Sequence, residues 1–246
     1  MNKNQTIEKL KSMRLNPMAN RHQHYLQNNL HNDITPDEYL ALLVDHEWEE
    51  RQNNKVQRLI KQAGFRQKAS IADVDFTTAR NLEKNMFNRL SSLDFISKNE
   101  NLILTGASGL GKSYLAQALG YQACLSGLKT QYYLTARLFS RLKLAKVDGT
   151  YHKELTKLMK VDLLILDDFG LQAFDNHARE SLMDIIEDRF SSKSTIVSSQ
   201  IPVSTWYDII GEGTIADAIL DRLVNSSHRI DLKGESLRKT ILRNEI

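Results

Sequence analysis

Residues Gly106-Ala107-Ser108-Gly109-Leu110-Gly111-Lys112-Ser113 fit the pattern GxxxxGK[ST], and no other stretch of the chain specifies chemistry so directly. In such a loop the glycines let backbone N–H groups turn inward around phosphate oxygens. The partial positive charge at the start of the following helix adds to that cradle. Gly106 through Tyr114 are therefore the expected nucleotide-binding segment: Lys112 reaches the β- and γ-phosphates, and the Ser113 hydroxyl ligates magnesium. With Gly near 7% of residues, two fixed glycines, a lysine and a Ser/Thr coincide at this spacing in only about one chain of this length in a hundred. The flanks agree: the apolar run Leu102-Ile103-Leu104 reads as a strand before the loop, and Tyr114-Leu115-Ala116-Gln117-Ala118-Leu119 as a helix after it.

Such a site needs an acidic residue at the end of a buried strand, and Leu163-Leu164-Ile165-Leu166-Asp167-Asp168 supplies two. Side chains alternate along a strand, so the two carboxylates cannot share one inward face. Asp167 is assigned to hold magnesium through water, and Asp168 to orient the attacking water. An Asp after a strand can equally cap a loop or helix, and the P-loop upstream is what favours the catalytic reading. A third strand, Ser194-Thr195-Ile196-Val197, ends in Ser198-Ser199-Gln200. Polar groups at the carboxyl end of a parallel strand enter the ligand crevice, so a hydroxyl or amide there, with Ser199 as the candidate, could sense the γ-phosphate; a solvated strand end is the plainer alternative. In the apolar helical stretch Ala218 to Val224, Arg222 either pairs with a neighbour such as Asp221 or reaches a phosphate across a subunit boundary, as in oligomeric ATPases.

The elements that must hold these residues read as α/β. Strands expected at 101–105, 130–134, 162–167, 194–198 and 228–232 alternate with helices, which calls for a five-stranded parallel sheet covered on both faces. Residues 1–68 read instead as a small helical domain, with one helix near Thr6 to Leu15 and another starting at Thr35-Pro36-Asp37-Glu38, where Thr35 can cap and Pro36 suits the first turn. Gly64 and Ser70 mark the break into an ATPase domain at 69–246.

Composition adds exclusions. The opening residues hold no apolar signal core and no run approaches a membrane span, so a cytoplasmic protein is expected. The lone Cys124 falls in an apolar-rich helix, where burial suits it better than catalysis, and the seven histidines lack partner cysteines at metal spacing. Net charge is +3, yet Arg51 to Lys68 holds Arg51, Lys55, Arg58, Lys61, Arg66 and Lys68 with no acid. Arg51, Lys55 and Arg58 recur at helical spacing and share a face with Lys61 close by. That face could follow a DNA backbone or simply be solvated.

The chain resembles the IstB-like ATP-binding proteins of IS21-type insertion sequences, a branch of the AAA+ ATPases related to the bacterial helicase loader and the replication initiator. The likeness spans nearly the whole length. It rests on Leu10-Lys11-Ser12-Met13-Arg14-Leu15, the P-loop, Leu166-Asp167-Asp168-Phe169-Gly170, Ser199-Gln200-Ile201-Pro202, Asp221-Arg222-Leu223-Val224 and Gly234-Glu235-Ser236-Leu237-Arg238-Lys239. The resemblance implies an AAA+ P-loop fold and an enzyme that hydrolyses ATP to ADP and phosphate with Mg2+. It further implies an ATP-dependent homo-oligomer on duplex DNA that helps a partner transposase select its target. It makes Arg222 the arginine finger and Arg238 a second sensing arginine, although the chain stops eight residues later, without the helical lid that carries such a residue in many AAA+ proteins. Two alternatives stay open. A helicase loader shares the ATPase core and differs in the first 68 residues; a P-loop kinase would need an acceptor-binding segment that is not evident, and would leave Arg222 without a purpose.

Overall fold

The computed structural model describes residues 3–30 and 34–237. The chain divides into two compact units, residues 1–58 and 59–246. The first holds helices α1 (Lys3–Ser12) and α2 (Asn16–Gln27) and most of α3 (Pro36–Ala63). Thr35 starts α3 with a reciprocal cap: its backbone N–H and its hydroxyl both donate to Glu38 Oε2 at 2.8 Å, while Glu38 N–H donates to Thr35 Oγ1 at 3.3 Å. Glu47 ties this unit together from a buried position. Its Oε2 accepts from Met18 N in the first turn of α2 at 3.0 Å, and its Oε1 lies 2.6 Å from Arg51 Nε. A carboxylate at a helix N-terminus meets both the unsatisfied N–H groups and the dipole there.

The second unit begins inside α3, ten residues ahead of the break expected from Gly64 and Ser70. Leu59 and Ala63 are buried against Cys124, and Gln117 Oε1 accepts the Arg66 and Gln67 N–H groups at 2.8 and 3.3 Å, so this segment packs with the α/β body. From there the order is α4 (Lys84–Ser91), α5 (Asp94–Ser97), β1 (Asn101–Gly106), α6 (Lys112–Leu125), β2 (Thr130–Leu134), α7 (Thr135–Val147), α8 (Tyr151–Met159) and β3 (Leu163–Asp167). It continues with α9 (Asn176–Arg189), β4 (Ser194–Ser199), α10 (Trp206–Ile210), α11 (Gly213–Val224) and β5 (Ser227–Leu232). The five strands form one parallel sheet in the order β2-β3-β4-β1-β5, matching the expected fold class, each strand within one residue of its expected span at either end.

The two faces of the sheet build two separate cores, and strand alternation decides which residue joins which. Leu102, Leu104, Leu163, Ile165 and Ile196 pack with Leu115, Ala116 and Leu119 of α6. Ile103, Leu164, Leu166 and Val197 pack on the opposite side with α7, α8, α9 and α11. β3 is buried on both faces along its whole length, as a central parallel strand must be. Among the described residues no helix is long and apolar enough to cross a membrane.

Candidate functional site

The P-loop leaves β1 at Gly106, whose φ of 137° is a conformation that side-chain-bearing residues rarely adopt; a Cβ there would lie 2.3 Å from the Leu232 carbonyl oxygen. The loop closes at Gly111, left-handed at φ 89°, which forms the N-cap of α6. Leu110 is buried in the α6-side core and fixes the loop from beneath. Two contacts brace it from elsewhere: Arg80 donates from Nη1 to Leu110 O at 2.9 Å and from Nη2 to Asp75 O at 2.6 Å, while Leu237 N–H donates to Gly109 O at 3.0 Å. Lys112 is buried at the loop mouth, its Nζ 2.8 Å from Ala107 O.

Asp167 ends β3 on the same side as Leu163 and Ile165, the α6 side, because it is four and two residues on from them, respectively. Parity therefore brings it to Ser113 in the first turn of α6, whose hydroxyl donates to Asp167 Oδ1 at 3.0 Å. The Asp168 N–H donates to the same oxygen at 3.0 Å, Tyr132 donates to Oδ2 at 2.6 Å, and Thr135 holds the Asp167 carbonyl at 2.8 Å. Burial, reinforced by the Asp167 carboxylate, pushes the Tyr132 phenol above its usual range, so the hydroxyl stays a donor. Asp168 breaks the strand at a left-handed φ of 55° and is half-buried.

These residues line a cleft of about 610 Å³ together with Arg66, Gln67, Ser108, Tyr114, Gln117, Gln200 and Leu237. Ser108, Gly109, Gly111, Lys112, Ser113, Tyr114, Asp167 and Asp168 thus converge, while Gly106, Ala107 and Leu110 shape the loop behind its wall. Tyr114 exchanges hydrogen bonds with the Ser70 backbone at 3.3 Å. The cleft mouth is rich in N–H donors at a helix N-terminus, which suits a polyphosphate. For the metal, Ser113 and Asp167 offer hard oxygens side by side. No group of three or more His, Cys, Asp or Glu side chains fit to hold a metal occurs among the described residues; magnesium characteristically takes few protein ligands and much of its shell from phosphate and water.

Three sequence assignments change. Ser199 faces away from this cleft: it shares parity with Val197, is fully buried, donates to Phe169 O at 2.7 Å and accepts from Ile201 N at 3.1 Å. Gln200, one residue on, supplies the polar group at the strand end. Arg66, grouped by composition with the basic helix, lines the cleft instead. Arg51 is engaged by Glu47 and by the Arg14 carbonyl at 3.2 Å, whereas Lys55 and Arg58 of the same unit are exposed, as is Lys61 in the second unit.

Arg222 lies at the other end of the sheet. Asn101, the first residue of β1, donates to the Leu223 carbonyl at 3.2 Å and to that of Arg222 at 3.5 Å. The Arg222 Nε forms an ion pair with Glu187 Oε2 at 2.7 Å without hydrogen-bond alignment, and its guanidinium stands 5.7 Å from the Phe190 ring centroid. Arg238 lies outside the described residues. Cys124 is buried, and burial pushes its thiol pKa up, consistent with packing. Sequence reasoning missed Tyr132 and Arg80, whose roles depend on what the fold places opposite them.

The parallel sheet and the P-loop between β1 and α6 are those of the AAA+ P-loop fold. The same fold occurs in the DnaI structure (TM-score 0.56, 23% identity, 72% of this chain and 94% of that one) and in AMPPCP-bound DnaA from Aquifex aeolicus (TM-score 0.58, 17% identity, 74% and 55%). The family model described as IstB-like ATP binding protein matches residues 8–244, and the chain belongs to that family. Among curated relatives, the insertion sequence ATP-binding protein y4pL of Sinorhizobium fredii is 44% identical over 95% of this chain and 96% of its own length. The IS1162 ATP-binding protein of Pseudomonas fluorescens is 40% identical over 81% and 87%, respectively.

Proposed function

We propose that this chain is an ATP-hydrolysing switch that assembles with copies of itself on duplex DNA and serves a partner transposase in choosing the target of an IS21-type element. The observation that carries the hydrolytic part is the joint presence, in one cleft, of the P-loop lysine, the Ser113–Asp167 pair and a second carboxylate at Asp168. Lys112 would neutralise phosphate charge, Ser113 and Asp167 would hold magnesium, and Asp168 would orient water for in-line attack. Bound magnesium would supply charge neutralisation at the β- and γ-phosphates. Gln200 stands at the β4 end, where it can register the γ-phosphate.

The assembly part is supported by Arg222, which is far from the cleft of its own chain. The link to transposition is supported by relatives named for insertion sequences. The test is a pair of variants in nucleotide binding and phosphate release: Lys112→Ala should lose ATP binding, and Asp168→Asn should bind ATP but hydrolyse it at least tenfold more slowly. Equal hydrolysis by Asp168→Asn and the parent would remove Asp168 from the reaction. Co-purification with transposase, set against replicative helicase, tests the partner.

A further inference from the structure

Tyr132 sits in the middle of β2, where the sequence reads as ordinary strand packing. Its ring belongs to the α6-side core and is 6% exposed, yet its hydroxyl emerges at the nucleotide cleft. There it donates to Asp167 Oδ2 at 2.6 Å, the short separation of a hydrogen bond to a charged acceptor. The other carboxylate oxygen takes the Ser113 hydroxyl and the Asp168 N–H, both at 3.0 Å. The donors are thus divided between the two oxygens, and any rotation of the carboxylate breaks bonds on both sides. The Arg66 guanidinium, from the segment after α3, also acts electrostatically on the Tyr132 hydroxyl. A phenylalanine would fill the same core volume, so packing alone asks for no hydroxyl here.

We propose that Tyr132 is a positioning residue for magnesium: by pinning Oδ2 of Asp167 it keeps Oδ1 turned toward Ser113, where the P-loop hydroxyl and the metal meet. The proposal rests on reading the cleft as a magnesium–nucleotide site. Groups that orient metal-binding side chains in this way are commonly worth 10- to 100-fold in metal affinity.

The test uses the full chain, Mg2+ and a fluorescent non-hydrolysable ATP analogue, so that no turnover is needed. In Tyr132→Phe the Mg2+ concentration that half-saturates metal-dependent analogue binding should rise about tenfold, while binding of the analogue in EDTA stays near that of the parent. Asp167→Asn should show a larger loss, and the double variant no further loss beyond Asp167→Asn alone, because Tyr132 acts only through that carboxylate. A Tyr132→Phe chain with the parent's Mg2+ dependence would overturn the proposal, as would losses that simply multiply in the double variant. A parent whose analogue binding ignores Mg2+ would overturn the reading of the cleft itself, and the proposal with it.

Discussion

Arg222→Ala is the perturbation that most sharply tests how the catalytic parts are distributed. Arg222 is anchored beside Asn101, the first residue of β1, whereas the P-loop begins at Gly106, the last. Five steps of about 3.3 Å put those two points roughly 17 Å apart, more than twice the roughly 7 Å that an arginine side chain spans. Within one chain, therefore, Arg222 cannot touch a nucleotide held by Lys112; only a neighbouring copy can present its cleft to it. Leaving Glu187 is no obstacle, since with side chains 26% and 54% exposed that ion pair is worth about 1 kcal/mol or less. If it stabilises the transition state in trans, its loss should slow hydrolysis by about 10³ to 10⁵, or about 4 to 7 kcal/mol in barrier, with ATP binding unchanged. The assay is phosphate release at saturating ATP and Mg2+, followed by mixing with Asp168→Asn, which keeps its own arginine. In an equal random mixture about one interface in four joins an intact cleft to an intact arginine across a head-to-tail contact, so activity should recover toward a quarter of the parent rate. Full activity in a monomeric sample, or no recovery on mixing, would refute the reasoning.

The remaining predictions concern stability, DNA and pH. Gly106→Ala should lower the thermal midpoint and cost upwards of about 2 kcal/mol in chemical denaturation, because a Cβ 2.3 Å from the Leu232 oxygen forces β1 and β5 apart. Lys55→Ala with Arg58→Ala, Arg51 being kept for its ion pair with Glu47, should weaken duplex DNA binding about equally across sequences and flatten its salt dependence by about one to two phosphate contacts; an unchanged salt slope would show the face to be merely solvated. At alkaline pH, Tyr132 and Tyr151 both have phenol pKa values raised by burial and by their carboxylate partners Asp167 and Asp184. The fold favours their protonated forms, so this contribution to stability is intact below the unfolded value of 10.0 and is lost as pH rises above it. Denaturant midpoints measured from pH 8 to 11 should fall in the upper half of that range, and less steeply in Tyr151→Phe.

Local sequence determined much of this protein. The glycine spacing of the P-loop follows from where the backbone must turn, the five strands announce themselves as short apolar runs between helices, and Thr35 with Glu38 writes its own cap. Period-two alternation also carried information that went unused: counting from Ile196 puts Ser198 on the α6 side and Ser199 opposite, which is why Ser199 bonds to Phe169 rather than facing the cleft.

What tertiary structure decided is everything that depends on partners distant in the chain. Arg66 and Lys61 look alike in a basic stretch and both are exposed, yet the turn after α3 brings Arg66, and not Lys61, to the wall of the cleft. Arg80 lies 30 residues from the carbonyl it braces at Leu110, and Tyr132 lies 35 from the carboxylate it holds. No local pattern encodes such contacts, because a buried arginine or tyrosine is stable only where the packed fold supplies its acceptor, and strand order sets which acceptor that is. The strand order β2-β3-β4-β1-β5 lays β2 beside β3 and so Tyr132 beside Asp167; α11, returning to the start of β1, carries Arg222 to the end of the sheet opposite the P-loop.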